Sequence, residues 1–227
     1  MSKRIKLLAL GVISTVLLAV PATTSAITPL HLSLSPVGGL KIDDIGADPR
    51  LSTTGGTTVQ CDSVSGNWTF NPGGTTGTIE LTFGPNCTTN LGGTCTSAGS
   101  ASSITTGILP LDLATVQQPG GGVVPGVLIT LAGGQFASFT CHNVAGFLTV
   151  DSVVKGNGLI GKMTAPICGE TRAEAHVGFN AVSNGFQEYQ KLGGTETIYS
   201  LIKGEEVAAL AATMRITFTH ASTLTCT

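Results

Sequence analysis

What the sequence has little of narrows it first. Charged side chains make up only 11% of its 227 residues, and no run of like charge occurs. Nucleic acid and anionic membrane surfaces reward clusters of Lys and Arg, so neither is an expected partner. Three of the eleven basic residues, Lys3, Arg4 and Lys6, fall in the first 26 positions. The rest of the chain holds eight basic groups against thirteen acidic ones, a net charge near −5. Aromatic residues are 5% of the total, with Trp68 the single tryptophan. Sugar-binding modules stack pyranose rings on exposed aromatics, so Trp68 in "GNWTF" is expected to be a core anchor rather than a platform. Beyond residue 20 no apolar stretch approaches the roughly 20 residues a membrane-crossing helix needs. No transmembrane segment is expected after the leader described below.

Several catalytic and metal patterns are missing as well. There is no C-x₂-C pair at zinc-knuckle distance and no G-x-S-x-G nucleophile elbow. His31, His142, His176 and His220 are scattered. Glu80, Asp112, Asp151, Glu170 and Glu174 stand out as carboxylates only because acids are few. "DDIGAD" at 43–48 lacks the spacing and closing Glu of a calcium loop. One nucleotide-like pattern does occur: "GNGLIG" at 156–161 spells G-x-G-x-x-G. A dinucleotide turn needs a helix after it and an acid about twenty residues on. Here Pro166 and Gly169 break any helix, and Glu170 and Glu174 lie only 9 and 13 residues past Gly161. Asn-Gly favours a tight turn between paired strands, so the expectation is a hairpin with "LIGKMT" as the return strand. No catalytic residue, cofactor or metal is assigned.

The chain begins with a positive patch, an almost wholly apolar run over residues 7–20, Pro21, and small residues Thr24-Ser25-Ala26. That order is the signature of a secretory leader. Residues 1–26 are therefore read as a signal peptide, and cleavage after Ala26 would leave 201 residues. Residues 27–56 read as a lead-in, partly loop, in which "HLSLS" adds one strand. Residues 57–227 read as a single all-β domain.

From Thr57 the apolar residues alternate. In "TGTIELTFG" Ile79, Leu81 and Phe83 share one face, while Thr78, Glu80 and Thr82 share the other, the period of a half-buried strand. About ten to twelve short strands follow at regular spacing, separated by Gly/Pro turns such as "NPGG" and "QQPGGG". Phe136 and Phe139 fall on opposite faces of a regular strand. "GEEVAALAAT" at 204–213 fits a helix or a strand, with strand favoured. Residues 85–101 form the longest polar excursion. Together these features predict an antiparallel β-sandwich or barrel. Loops on a rigid scaffold carry binding, so Asn86, Thr88, Thr89, Asn90 and Leu91, with 117–122, are the candidate binding loops.

All six cysteines, Cys61, Cys87, Cys95, Cys141, Cys168 and Cys226, lie beyond the leader. An even number in an exported chain predicts disulfides, here with 15 possible pairings. "CTTNLGGTC" has turn residues enough to reverse, which favours a local Cys87–Cys95 bridge worth about 2.6 kcal/mol. The other four cysteines sit on predicted strands.

"VQCDSVSGNWTF", "GTIELTFGPNCTTNLGGTCTSAG", "ITTGILPLDL", "PGVLITLAGGQFASFTC" and "VVKGNGLIGKMT" resemble stretches of a group of secreted, β-rich actinobacterial proteins of uncharacterised function. The likeness spans roughly residues 57–226. It implies export, an all-β domain and paired cysteines, and it carries no catalytic residues. With its help the remaining bonds are expected as Cys61–Cys141 and Cys168–Cys226. The resulting reading is a secreted bacterial protein without catalysis, with a structural or interaction role at the cell envelope or outside the cell and a partner unknown. The alternatives are a secreted hydrolase with a dispersed site and a barrel carrying a small apolar ligand.

Overall fold

The computed structural model of the chain describes residues 31–35, 40–46, 48–117, 122–131, 134–143, 149–156, 158–180, 190–191, 201–203 and 206–227. The expected leader, the "QPGG" of the 117–122 turn and Asn157 lie outside the described residues. Within them there is no α-helix. The strands run β1 Leu32–Ser35, β2 Leu40–Asp44, β3 Arg50–Thr53, β4 Thr58–Gln60, β5 Val64–Phe70 and β6 Thr76–Phe83. Next come β7 Thr88–Thr89, β8 Gly93–Thr96, β9 Ile104–Thr105, β10 Leu109–Gln117, β11 Val123–Thr130 and β12 Gln135–Asn143. The last are β13 Thr149–Gly156, β14 Gly158–Ala165, β15 Thr171–Phe179, β16 Gln190–Lys191, β17 Leu201–Lys203 and β18 Glu206–Cys226.

The pairings close on themselves twice. One circuit runs β18–β2–β5–β6–β10–β11–β14–β15 and returns to β18. The other runs β18–β3–β4–β7–β8–β12–β13–β17 and also returns to β18. Every step is antiparallel. The chain passes from one circuit to the other along the same leg: β2 leads to β3, β4 to β5, β6 to β7, β8 to β10, β11 to β12 and β13 to β14. The two circuits are therefore the two halves of one up-and-down antiparallel barrel whose legs are interrupted at the waist. Among the described residues only β18, 21 residues long, runs unbroken through both halves. β1, β2 and β3 cover one edge of it in succession, and β15 and β17 cover the other. Closure removes the exposed strand edges that invite aggregation.

Alternation decides what fills the barrel. Along β18, Ala208, Leu210, Ala212, Met214, Ile216 and Phe218 are buried, while Thr213, Arg215 and Thr217 face outward. Along β6, Ile79, Leu81 and Phe83 point in, and Thr76, Thr78 and Glu80 are exposed. A membrane-spanning barrel shows the opposite polarity, an apolar band outside and a polar lumen. The inward residues form one continuous cluster through both halves, as an eight-stranded barrel just wide enough for side chains allows. Trp68 belongs to that core, with its ring 5.2 Å from that of Phe70.

The disulfides lie across this barrel. Cys61 bonds Cys87, Cys95 bonds Cys141, and Cys168 bonds Cys226. The expected Cys87–Cys95 and Cys61–Cys141 pairs are thus corrected. Cys87 and Cys95 are hairpin neighbours, joined through a 2.8 Å backbone hydrogen bond, but each bonds outward to the next strand. Cys95 stands directly opposite Cys141. Cys61 and Cys87 extend the Gln60–Thr88 register by one position. Two bonds therefore staple β4, β7, β8 and β12 in a row.

Four further expectations change. The lead-in, expected to add one strand, holds two more: residues 40–44 and 50–53 pair with β18, with Ile42 and Leu51 in the core. Residues 85–101 contain β7 and β8 rather than a long loop. The "GNGLIG" segment is not a hairpin. β13 and β14 have partners on both edges already, β12 and β17 for one and β11 and β15 for the other, so neither has an edge left to pair with its neighbour in sequence. Gly161 is needed there because a Cβ would sit 2.8 Å from the Phe179 ring. Finally, Phe136 and Phe139 are both buried, since the register of β12 slips between Gln135 and Ala137. The described residues of "GEEVAALAAT" are strand, continuous with "TMRITFT" and "STLTC".

Candidate functional site

The interruption of the legs opens the barrel wall beside β18. Next to Ala211–Thr213 of β18, β2 ends at Asp44 and β3 begins only at Arg50, and β15 ends at Phe179. Gly46 packs so closely over Thr213 that a Cβ on it would lie 2.8 Å from the Thr213 Cβ. The outward side chains of β18 here are small, Ala211 and Thr213. The result is a cleft of about 340 Å³ lined by Asp48, Arg50, Gln60, Phe179, Asn180, Ala211, Ala212 and Thr213. Its size is at the lower end for small-molecule sites, roughly 300–1,000 Å³.

Two groups in the cleft are tied together and one is not. The Gln60 amide donates to Asp48 Oδ2 at 2.8 Å, so that carboxylate is held in place. Arg50 stands opposite both Gln60 and Ala211 in the strand ladder. It is exposed, and it has no ion pair or side-chain hydrogen bond among the described residues. None of these residues was singled out from the sequence. The readable signal was the small residues Ala211, Ala212 and Thr213 beside a turn-rich "GADPR", but which face of β18 they used depended on pairing.

The charged groups farther along the outer face form a row across β2, β18 and β15. Arg215 lies 3.9 Å from Asp43 and 4.0 Å from Glu174, Lys41 lies 3.6 Å from Asp43, and His176 Nε2 is 3.1 Å from Glu174. These are partly exposed pairs, the two of Arg215 across strands and the other two along one strand, each worth at most about 1 kcal/mol. Beside the Cys168–Cys226 bond, Glu170 pairs with Arg172 and accepts a hydrogen bond from the Ile167 amide at 3.1 Å. Arg172 and then that amide hold the Glu170 carboxyl below its ordinary range. This pair therefore supports the turn at neutral pH, and its support fades as pH falls through the lowered value.

The candidate binding loop is largely tied to the neighbouring segment 56–62. Asn90 accepts from the Thr58 amide and donates to the Gly56 carbonyl, both at 2.9 Å. Asn86 donates to Asp62 at 2.7 Å. Thr88 pairs with Gln60 and Thr94 in the sheet, and Thr89 Oγ1 accepts from the Leu91 amide at 3.3 Å. Leu91 projects, 74% exposed at the hairpin tip, and Asn86, Thr88 and Asn90 are exposed as well. The remaining histidines, His31, His142 and His220, are exposed and on different strands or ends. Inside the barrel an apolar cavity of about 30 Å³ lies between Leu51, Phe83, Phe136 and Leu210, with room for about one water-sized body.

No protein-family profile, no curated protein and no solved structure matches the chain. Its class is therefore defined by its own geometry: an all-β, antiparallel barrel with extra strands and three disulfides. Among the described residues no helix is long and apolar enough to cross a membrane.

Proposed function

We propose that this is an exported, non-catalytic binding or structural protein of the cell envelope or extracellular space, in which a rigid barrel presents the waist cleft on its outer face. The observation that carries the reading is the state of the cysteines: all six are bonded. Disulfides persist in oxidising compartments and are rare in the cytosol. The apolar run and small residues before position 27 supply a route of export. The resemblance to exported actinobacterial proteins agrees with it. A stapled scaffold also limits the ordering cost of binding.

The test is expression of the full chain in a bacterium with a general export pathway, followed by fractionation and intact-mass analysis. The expected product lies outside the cytoplasm, begins after Ala26 and lacks the six hydrogens that three bonds remove. A product held in the cytoplasm with its leader and free thiols would overturn the reading.

A further inference from the structure

We propose that the waist cleft binds a small organic acid, one carboxylate flanked by hydroxyl groups, with Arg50 as the carboxylate anchor. This deepens the binding-protein reading and rests on it. A guanidinium presents a planar fork that matches a carboxylate in two parallel hydrogen bonds. Arg50 is exposed at the cleft and engages no other side chain among the described residues. Among the described residues no ion pair of its fork has to be broken for a ligand to bind.

The rest of the lining selects among anions. Asp48 is in the same cleft and is held by Gln60. A fixed negative charge beside Arg50 disfavours a doubly charged phosphate or sulfate, which would meet it at close range. The same carboxylate accepts hydrogen bonds from hydroxyls. The Gln60 amide gives its N–H to Asp48, which leaves its carbonyl oxygen as a further acceptor. Thr213 adds a hydroxyl at the wall, and Ala211, Ala212 and Phe179 give an apolar back. Among the described residues the lining offers one cation, one acid and several neutral polar groups around a volume of about 340 Å³, the complement of a hydroxy acid or sugar acid rather than a bare anion.

The experiment is an amide-shift titration of the oxidised protein by two-dimensional NMR, with D-glucuronate as the probe. Glucose serves as its neutral counterpart and inorganic phosphate as a charge control. The expected result is a saturable shift of the amides of Arg50, Gln60, Ala211 and Thr213 with glucuronate, and affinities about tenfold or more weaker for glucose and phosphate. Arg50→Gln should weaken glucuronate by about tenfold, and Ala211→Phe should abolish the shifts by filling the cleft. Both sites are on the outer face, so an unchanged spectrum elsewhere certifies the fold of each variant. No saturable shift with glucuronate, or full affinity in Arg50→Gln, overturns the proposal. Equal binding of glucose or phosphate overturns the carboxylate assignment and leaves a binding cleft standing. Retention of the chain in the cytoplasm, by contrast, strikes at the export reading and leaves this titration unaffected.

Discussion

Removing the Cys95–Cys141 bond by the double substitution Cys95→Ala, Cys141→Ala is expected to lower the unfolding free energy by about 4 kcal/mol. The bond joins residues 46 apart in sequence, and closing a loop of that size removes much of the freedom of the unfolded chain. Cys61–Cys87 and Cys168–Cys226, at separations of 26 and 58, give about 3.5 and 4.2 kcal/mol on the same relation. Domains are stable by only about 5–15 kcal/mol. Full reduction should therefore leave little or no folded protein at room temperature. The measurement is urea unfolding followed by Trp68 fluorescence, with and without reductant. Trp68 is a suitable reporter because it is buried and is the only tryptophan. An unchanged midpoint on reduction would mean that the barrel stands without its staples.

A charge placed on adjacent residues of β18 should give opposite outcomes. Ile216 faces the core and is 1% exposed. Ile216→Asp puts a carboxyl where it has no partner, so it must lose its charge or unfold the barrel, and no folded protein is expected. Ile216→Ala, a milder change at the same place, should cost about 2–5 kcal/mol. Thr217 is exposed and stands between Lys41 on β2 and Glu174 on β15. Thr217→Asp gains attraction to one and repulsion from the other, for a net change within about 0.5 kcal/mol. Soluble yield and urea midpoints decide the matter. A tolerated Asp at 216 would place that face outside.

The alternation at Ile79, Leu81 and Phe83 was enough to read an all-β protein, because period two is a local property and the sheet respects it. Pairing is not local. The interrupted legs looked like many short strands, since residues such as Gly46, Pro49 and Gly84-Pro85 mark a break equally well whether the chain turns back or runs on. Gly156-Asn157-Gly158 misled for that reason: a hairpin and a continued leg use the same residues, and the choice is made by β11, β12, β15 and β17 on either side. Cysteine pairing failed where it relied on distance along the chain. Cys87 and Cys95 are close in sequence and adjacent in the sheet, yet the strands that approach from outside, carrying Cys61 and Cys141, take both sulfurs. The cleft was hidden for a related cause. Arg50, Gln60 and Thr213 belong to three strands and meet only once the first leg has been laid along β18.

Closure of the barrel by β18 is the claim on which the rest stands, and cross-strand proton contacts test it most directly. Contacts should be seen from β18 to both edges at once: Met214 to Asp44 and to Val177, and Leu210 to Leu51, with Ala208 to Leu201. Contacts on one edge alone would show an open sheet, and the account of the core, the staples and the cleft would be contradicted together.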